Sequence, residues 1–242
     1  MSFASWLDFL YPPACALCRD PLSEGCYLCD GCRADLPRIE KPFCIQCGEH
    51  IEGFVPEDVL CSQCRGCEFS FEFARAAGSA HDRARELMHT YKYGRQIHLH
   101  RELASLAREV WDDPRIATQT DPAWVIVPVP LHWRRQQWRW FNQSYEIAKT
   151  LAQMQGLRLE HPLRRIRNTT QQSLLSRAGR LANLRGAFRL SGRELRRKSV
   201  QNQPVLLLDD VFTTGSTVEE CARILIQEGG AEKVVVLTVL RG

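Results

Sequence analysis

The chain has 242 residues, 44 % of them apolar, and a formal net charge of +4. That is enough for one full domain plus a small one. No apolar run reaches the roughly 20 residues of a transmembrane helix, so the sequence excludes that class. The charge is uneven: residues 131–200 hold sixteen Lys or Arg against three Asp or Glu, a net +13, while the remainder nets −9. A single-sign region of that size points to a polyanionic partner, with a pyrophosphate-bearing ligand and a plain solvated surface as the alternatives.

The first ten residues hold Trp6, Leu7, Phe9 and Leu10 but also Asp8, without a basic start or a cleavage-site pattern. They read as a short amphipathic helix rather than a secretory signal, which places the protein in the cytoplasm. Ten of the eleven cysteines then fall between Cys15 and Cys67. Eight form four C-x-x-C pairs: Cys15 with Cys18, Cys29 with Cys32, Cys44 with Cys47, and Cys61 with Cys64. Each such turn aims two thiolates at one metal, and two turns complete a tetrahedral zinc site. Pairing in sequence order gives two structural zinc ions, one on Cys15, Cys18, Cys29 and Cys32 and one on Cys44, Cys47, Cys61 and Cys64. Interleaved pairing is the alternative, and Cys26 or Cys67 can replace a ligand. A secreted disulfide scaffold fits less well, since paired C-x-x-C is metal spacing. The linkers are short and turn-rich, so residues 1–68 read as a double zinc ribbon with little core of its own. Its metals supply most of its folding free energy.

Residues 69–242 read as a second, α/β domain. Phe69, Phe71 and Phe73 alternate as a strand would, with small residues continuing it to Ala80. Residues 81–93 read as a helix ending at Gly94, and Tyr91-Lys92-Tyr93-Gly94-Arg95 can stack a ring and meet a phosphate, or simply pack the helix end. Residues 98–111 read as a second helix, closed by Asp112-Asp113-Pro114. Trp124-Val-Ile-Val-Pro-Val-Pro130 is a buried strand running into a Pro-fixed loop. In the next stretch Trp133, Trp138, Trp140 and Phe141 interleave with Arg134, Arg135 and Arg139. Arg134, Arg135, Trp138 and Arg139 are therefore candidate contacts to single-stranded nucleic acid; the alternative is a loop whose aromatics pack inward. Asn142 is placed to cap a helix over 143–155 that Gly156 closes. Arg164, Arg165 and Arg177 belong to a polar, Arg- and Gln-rich stretch that reads as a mobile loop able to close on a phosphate-rich ligand. Residues 193–198 read as an exposed basic turn or hairpin.

Val205-Leu-Leu-Leu208 is a short apolar run of the kind a central parallel strand uses. Asp209 and Asp210 stand at its end. Thr213, Thr214, Gly215, Ser216 and Thr217 follow as a small hydroxyl-rich turn, and Ser216 with Glu219 has capping-box spacing for a helix start. A helix N-terminus is an anion site, and paired acids beside it suit a ligand with sugar hydroxyls and a divalent cation. Val218, Cys221, Ala222 and Leu225 form the apolar stripe of that helix, Gly229-Gly230 stops it, and 234–239 is a last strand in βαβ order.

Leu206-Leu-Leu-Asp-Asp-Val-Phe-Thr-Thr-Gly-Ser-Thr217 resembles the phosphoribosyl pyrophosphate (PRPP) loop of type I phosphoribosyltransferases. The resemblance implies that Asp209 and Asp210 hold the ribose hydroxyls, directly or through Mg²⁺, and that residues 213–217 bind the 5′-phosphate. Val127-Pro-Val-Pro-Leu, Arg139-Trp-Phe-Asn-Gln143 and Arg167-Asn-Thr-Thr-Gln-Gln-Ser-Leu-Leu-Ser-Arg177 resemble the ComF family of competence-associated proteins, as does the cysteine-rich head. That family commonly shows Arg-Gly-Phe-Asn-Gln where Trp140 stands here. The fold implied is a parallel-sheet, type I phosphoribosyltransferase-like domain behind a small zinc ribbon. The function implied is an accessory of DNA uptake that binds PRPP with Mg²⁺, handles single-stranded DNA and works beside competence or recombination proteins. Alternatives are a working phosphoribosyltransferase with an unidentified base or amine acceptor, and a PRPP-binding regulator without catalysis.

Overall fold

The computed structural model describes residues 13–23, 25–56, 58–117, 124–169, 179 and 183–242. The expected N-terminal helix and Arg177 lie outside the described residues. The centre is a five-stranded, all-parallel sheet in the order β1 (Ala74–Ser79), β7 (Lys233–Arg241), β6 (Pro204–Phe212), β2 (Val125–Pro128), β3 (Arg158–Leu159). A parallel sheet must be covered on both faces, and the strands read accordingly as near-continuous apolar runs. Side chains alternate along β6. Leu206 and Leu208 join the cluster holding Leu103, Ile147 and Leu151, whereas Val205 and Leu207 join the one holding Val218, Cys221 and Leu225. One face is thus covered by α3 (His100–Arg108) and α6 (Gln143–Gln155), the other by α8 (Ser216–Gln227). Each fully buried Leu or Ile of these faces contributes about 1.5–3 kcal/mol.

Among its described residues the cysteine-rich segment contains one short helix, α1 (Asp30–Ala34), capped by Cys29. It has almost no core of its own, as its composition implies. Cys15, Leu28, Cys32 and Leu36 extend the α3 side of the core, and Cys44, Cys47 and Cys64 extend the α8 side. Its backbone also covers the free edge of β1: Ile39 N donates to Ala77 O, Ser79 N to Pro37 O, and Ala74 N to Gln46 O. An open edge strand is a template for unwanted pairing, and this segment closes it. The approach is tight at Gly78, where an added Cβ would lie 2.5 Å from Pro37 O.

Between β1 and β2 lie α2 (Asp82–Tyr93), α3 and α4 (Pro114–Ala117). Between β2 and β6 come α5 (Trp133–Arg139), α6, β3, an antiparallel pair of β4 (Leu163–Arg165) with β5 (Phe188–Leu190), and α7 (Glu194–Arg197). Several expectations change. The alternating phenylalanines precede the first strand rather than form it: Phe71 and Phe73 are buried as core plugs, and pairing with β7 becomes continuous at Ala74. The tryptophan- and arginine-rich stretch is a short helix, α5, not a loop. Arg164 and Arg165 sit on β4, fixed by its ladder with β5, rather than in a mobile loop. The basic stretch near 193–198 winds into α7, whose buried Glu194 accepts from Ser199 Oγ and Val200 N. The capping box also fails. Gly215 is the N-cap residue, and Glu219 instead accepts from Ser70 N and Oγ.

Candidate functional site

A cavity of about 580 Å³ opens at the C-terminal end of the sheet, where β6 and β2 run into their following helices. This is where open α/β sheets bind ligands. Its floor is the turn after β6. Gly215 has φ +76°, and an added Cβ would lie 2.6 Å from the Phe212 ring, so only glycine lets the chain turn against that ring. Thr214 and Ser216 share a hydroxyl contact of 3.1 Å, and Thr213, Thr214, Gly215, Ser216 and Thr217 all line the cavity. The first N–H groups of α8 have no partner inside the helix and lie at its positive end.

Asp209 and Asp210 stand beside this turn, as the spacing implies. Asp209 Oδ1 accepts from Ser144 Oγ and from Asp210 N, both at 2.9 Å. Asp210 Oδ1 lies 2.9 Å from Lys92 Nζ. Of the two readings of the Tyr91-Lys92-Tyr93 stretch, ring and phosphate contact or packing of the helix end, Tyr91 follows the second, and Lys92 pairs with an acid that spacing does not indicate. Tyr91 is fully buried and donates to Gln143 O. Both acids line the cavity.

Burial, followed by repulsion from the Asp210 carboxylate, raises the pKa of Asp209 to about 7. The folded protein therefore favours the neutral carboxyl. The stability this contributes is fully present below the ordinary pKa and is lost as pH rises through about 7. Asp209→Asn keeps an acceptor for Ser144 and for Asp210 N but never ionises. It should stabilise the protein at pH 8 by on the order of 1–3 kcal/mol, a difference that vanishes towards pH 4. Denaturant unfolding across that range checks this; a constant or inverted difference would refute the protonation assignment.

Opposite the acids, Arg135, Arg139 and Arg165 line the same cavity. Among the described residues none of the three has a carboxylate within ion-pair distance. Burial and then Arg135 lower the pKa of Arg165, and burial and then Arg139 lower that of Arg135. Each is thus held charged against its like neighbours. They are fixed by neutral groups: Arg135 Nη2 donates to Thr169 O, Arg165 Nη2 to Thr169 Oγ1, and Arg139 Nη1 to Gln143 Oε1. The Nε atoms of Arg139 and Arg165 and Nε2 of Gln143 are buried without a partner among the described residues. Unpaired buried donors of this kind are costly and await an acceptor. Arg134, Arg164 and Trp138 do not line the cavity. Trp133, Trp138 and Trp140 are exposed, while Phe141 is core. Trp138 meets cavity residue Tyr93 edge-on at 5.8 Å, and Arg95 covers the Trp140 ring at 4.5 Å.

The two cysteine sets of sequence-order pairing come together. In each of the two sets the four Sγ atoms lie within 4.8 Å of one another. Cys18 and Cys29 are 3.6 Å apart, and Cys47 and Cys61 3.7 Å. Zn–S bonds of about 2.3 Å in a tetrahedron require an S···S edge of about 3.8 Å, so both sets fit zinc. Among the described residues no two cysteines form a disulfide, and neither Cys26 nor Cys67 joins a set. Arginines approach both sets from α2 and β7: Arg83 Nη1 donates to Cys32 Sγ at 2.9 Å, and Arg241 Nη2 to Cys47 Sγ at 3.9 Å.

The double zinc ribbon domain model matches residues 6–65. The DNA utilization protein YhgH of Salmonella typhimurium (strain LT2) is 34 % identical over 223 residues, covering 91 % of this chain and 93 % of that one. Competence protein F of Haemophilus influenzae is 28 % identical over 215 residues, covering 88 % and 90 %. Competence protein ComFC of Bacillus subtilis is 26 % identical over 223 residues, covering 88 % and 84 %. The chain belongs to the ComF family. Its centre is a parallel five-stranded sheet with helices on both faces, and the acid pair near the end of β6 is followed by the turn and α8. Among solved structures, the allosteric regulatory enzyme of purine biosynthesis is 21 % identical with TM-score 0.37, over 57 % of this chain and only 25 % of that one. A hypoxanthine phosphoribosyltransferase from Staphylococcus aureus is 14 % identical with TM-score 0.31, over 59 % and 64 %.

The one departure from the ComF-like motif has a local explanation. Trp140 is the C-terminal cap of α5 in the left-handed region, φ 71°, a position that glycine occupies without strain. The turn keeps that conformation with tryptophan in place, and Arg139 still reaches the cavity. Asn142 is the N-cap residue of α6 but makes no side-chain cap bond; its Nδ2 donates to Val129 O, tying α6 to the end of β2. Among the described residues no helix is long and apolar enough to cross a membrane.

Proposed function

We propose that the cavity binds PRPP or a related phosphoribosyl ligand with Mg²⁺, and that the protein serves DNA uptake in the cytoplasm, where it contacts single-stranded DNA. The 5′-phosphate would sit on residues 213–217 and the ribose hydroxyls on Asp209 and Asp210. Mg²⁺ would enter with the pyrophosphate, whose charge Arg135, Arg139 and Arg165 neutralise. One observation carries this reading: three arginines without carboxylate partners among the described residues share one cavity with an acid pair and an anion-suited turn. The DNA role rests on the names of the relatives and on the exposed Trp133, Trp138 and Trp140 beside Arg134, a stacking and cationic surface outside the cavity. The division into a zinc ribbon of residues 1–68 and an α/β domain of residues 69–242 belongs to the same proposal. Competence or recombination proteins are the partners expected on this reading.

Calorimetry on the full chain tests the ligand. PRPP should bind in the presence of Mg²⁺, and Asp210→Ala should weaken it by about 2–4 kcal/mol, since charge-assisted bonds to a desolvated ligand are lost. Unchanged affinity would refute the site. Labelled oligonucleotides test the DNA contact. Single strands should bind better than duplex and with steep salt dependence, and Trp138→Ala should cost about 1–3 kcal/mol. Complete displacement by saturating PRPP would instead place the DNA in the cavity.

A second reading, transfer of the phosphoribosyl group to a base or amine, is favoured by Asp209. Its carboxyl lines the cavity, held by Ser144 Oγ and Asp210 N, where it can take a proton from an acceptor. Pyrophosphate release from PRPP with candidate acceptors separates the two readings.

A further inference from the structure

The second cysteine set and the turn after β6 share one buried arginine. Arg241 ends β7 and is 6 % exposed. Its Nη2 donates to Glu49 Oε2 at 2.9 Å and to Cys47 Sγ at 3.9 Å. Its Nη1 donates to Thr213 O at 2.8 Å and Phe212 O at 3.2 Å. The guanidinium also lies over the Phe212 ring, 5.0 Å from its centroid, and this is the ring against which Gly215 turns. Beyond the turn, Ser70, three residues past Cys67, donates through N and Oγ to Glu219 in the first turn of α8. The turn is therefore gripped on both sides by the segment that carries the second cysteine set.

The bonds to Arg241 do more than anchor. A peptide unit is planar and trans, so its C=O and the following N–H point opposite ways. With the carbonyls of Phe212 and Thr213 aimed at Arg241, the N–H groups of Thr213 and Thr214 are aimed away from it. Arg241 does not line the cavity, whereas both threonines do. The arginine is itself held by charge. Four thiolates on one Zn²⁺ would leave a net negative centre beside the Glu49 carboxylate, so a loaded centre would favour the guanidinium at this place by charge.

We propose that the second zinc centre positions the turn over residues 212–219 through Arg241 and Glu49, so that loss of its metal or oxidation of its thiolates loosens that turn. Arg241 is a positioning residue on this account. Its bearing on ligand binding rests on the phosphate reading of the turn given above; the coupling itself does not. Arg83 donates to Cys32 Sγ at the first centre, and among the described residues no bond joins it to the turn, which makes it the control.

Hydrogen exchange on the zinc-loaded full chain tests the coupling without any ligand. In Arg241→Met, amides of residues 212–219 should exchange about tenfold faster, with those of β2 and α6 unchanged. Glu49→Gln should move the same peptide in the same direction and decides the matter if Arg241→Met fails to fold. Arg83→Met should leave it unmoved, and a chromogenic chelator should draw zinc faster from the second centre in the Arg241 variant only. Ribose 5-phosphate affinity should fall about tenfold with Arg241→Met. Unaltered exchange in both the Arg241 and Glu49 variants would overturn the coupling. A wild-type protein that binds no ribose 5-phosphate would remove the phosphate reading, and the exchange rates would still decide the coupling.

Discussion

Cys44→Ser protein should carry about one zinc per chain instead of two and should not hold its native fold at physiological temperature. Cys44 is fully buried, and its sulfur accepts the Cys61 N–H. Structural zinc contributes about 10–16 kcal/mol to the folding of small peptide modules, and a serine hydroxyl is a far poorer ligand than a thiolate. A domain is stable by only about 5–15 kcal/mol, so losing a fraction of the metal term is decisive. The damage spreads because Cys44, Cys47 and Cys64 belong to the same apolar cluster as α8 and β6. Cys15→Ser should act in the same way on the α3 side. Cys26→Ser and Cys67→Ser should leave metal content unchanged. Elemental analysis and circular dichroism check all four; a folded, metal-free protein with disulfides at these cysteines would exclude the zinc assignment.

Gly215→Val should destabilise the protein by about 2–5 kcal/mol and abolish ligand binding in the cavity. Two costs combine. The backbone stays at φ +76°, where a β-branched residue is strained by about 1–2 kcal/mol. The new Cβ also falls 2.6 Å from Phe212 Cζ. That ring has no room to yield: it is 3 % exposed, meets Phe71 edge-on at 6.4 Å and carries the Arg241 guanidinium. Relief then requires moving the turn itself, which takes the N–H groups of residues 213–217 out of place. Denaturant unfolding read beside calorimetry with PRPP checks this. Unfolding within about 0.5 kcal/mol of wild type would show that the turn is not held against Phe212.

The parts of this architecture that depend on neighbours in the chain were legible early. C-x-x-C turns chelate because two residues of spacing bring two thiolates to one point, and sequence order then paired the turns correctly. An apolar run ending in two acids and a glycine turn reads as strand, site and helix, since each step is set by backbone geometry over four or five residues. The same local view misjudged Glu219. Its capping-box spacing is real, but Ser70, distant in sequence, offers two donors and takes the carboxylate. It also took the phenylalanines at 69, 71 and 73 for a strand, because alternation records burial and not pairing.

What spacing could not supply was every contact that the strand order creates. The sequence β1-β7-β6-β2-β3 across the sheet brings the ends of β2 and β6 together. Arg135, Arg139 and Arg165 thereby converge on Asp209 and Asp210, although they come from α5 and β4. Lys92 reaches Asp210 from a helix more than a hundred residues earlier, and Arg241 joins Cys47 to Thr213 across nearly the whole chain. Such pairs cost loop-closure entropy that local signals do not encode, and they form only once the buried faces of β6 and β7 have set the register. Chemistry type and metal count therefore lie in the linear chain, whereas the partner of each charged group depends on how the sheet is stacked.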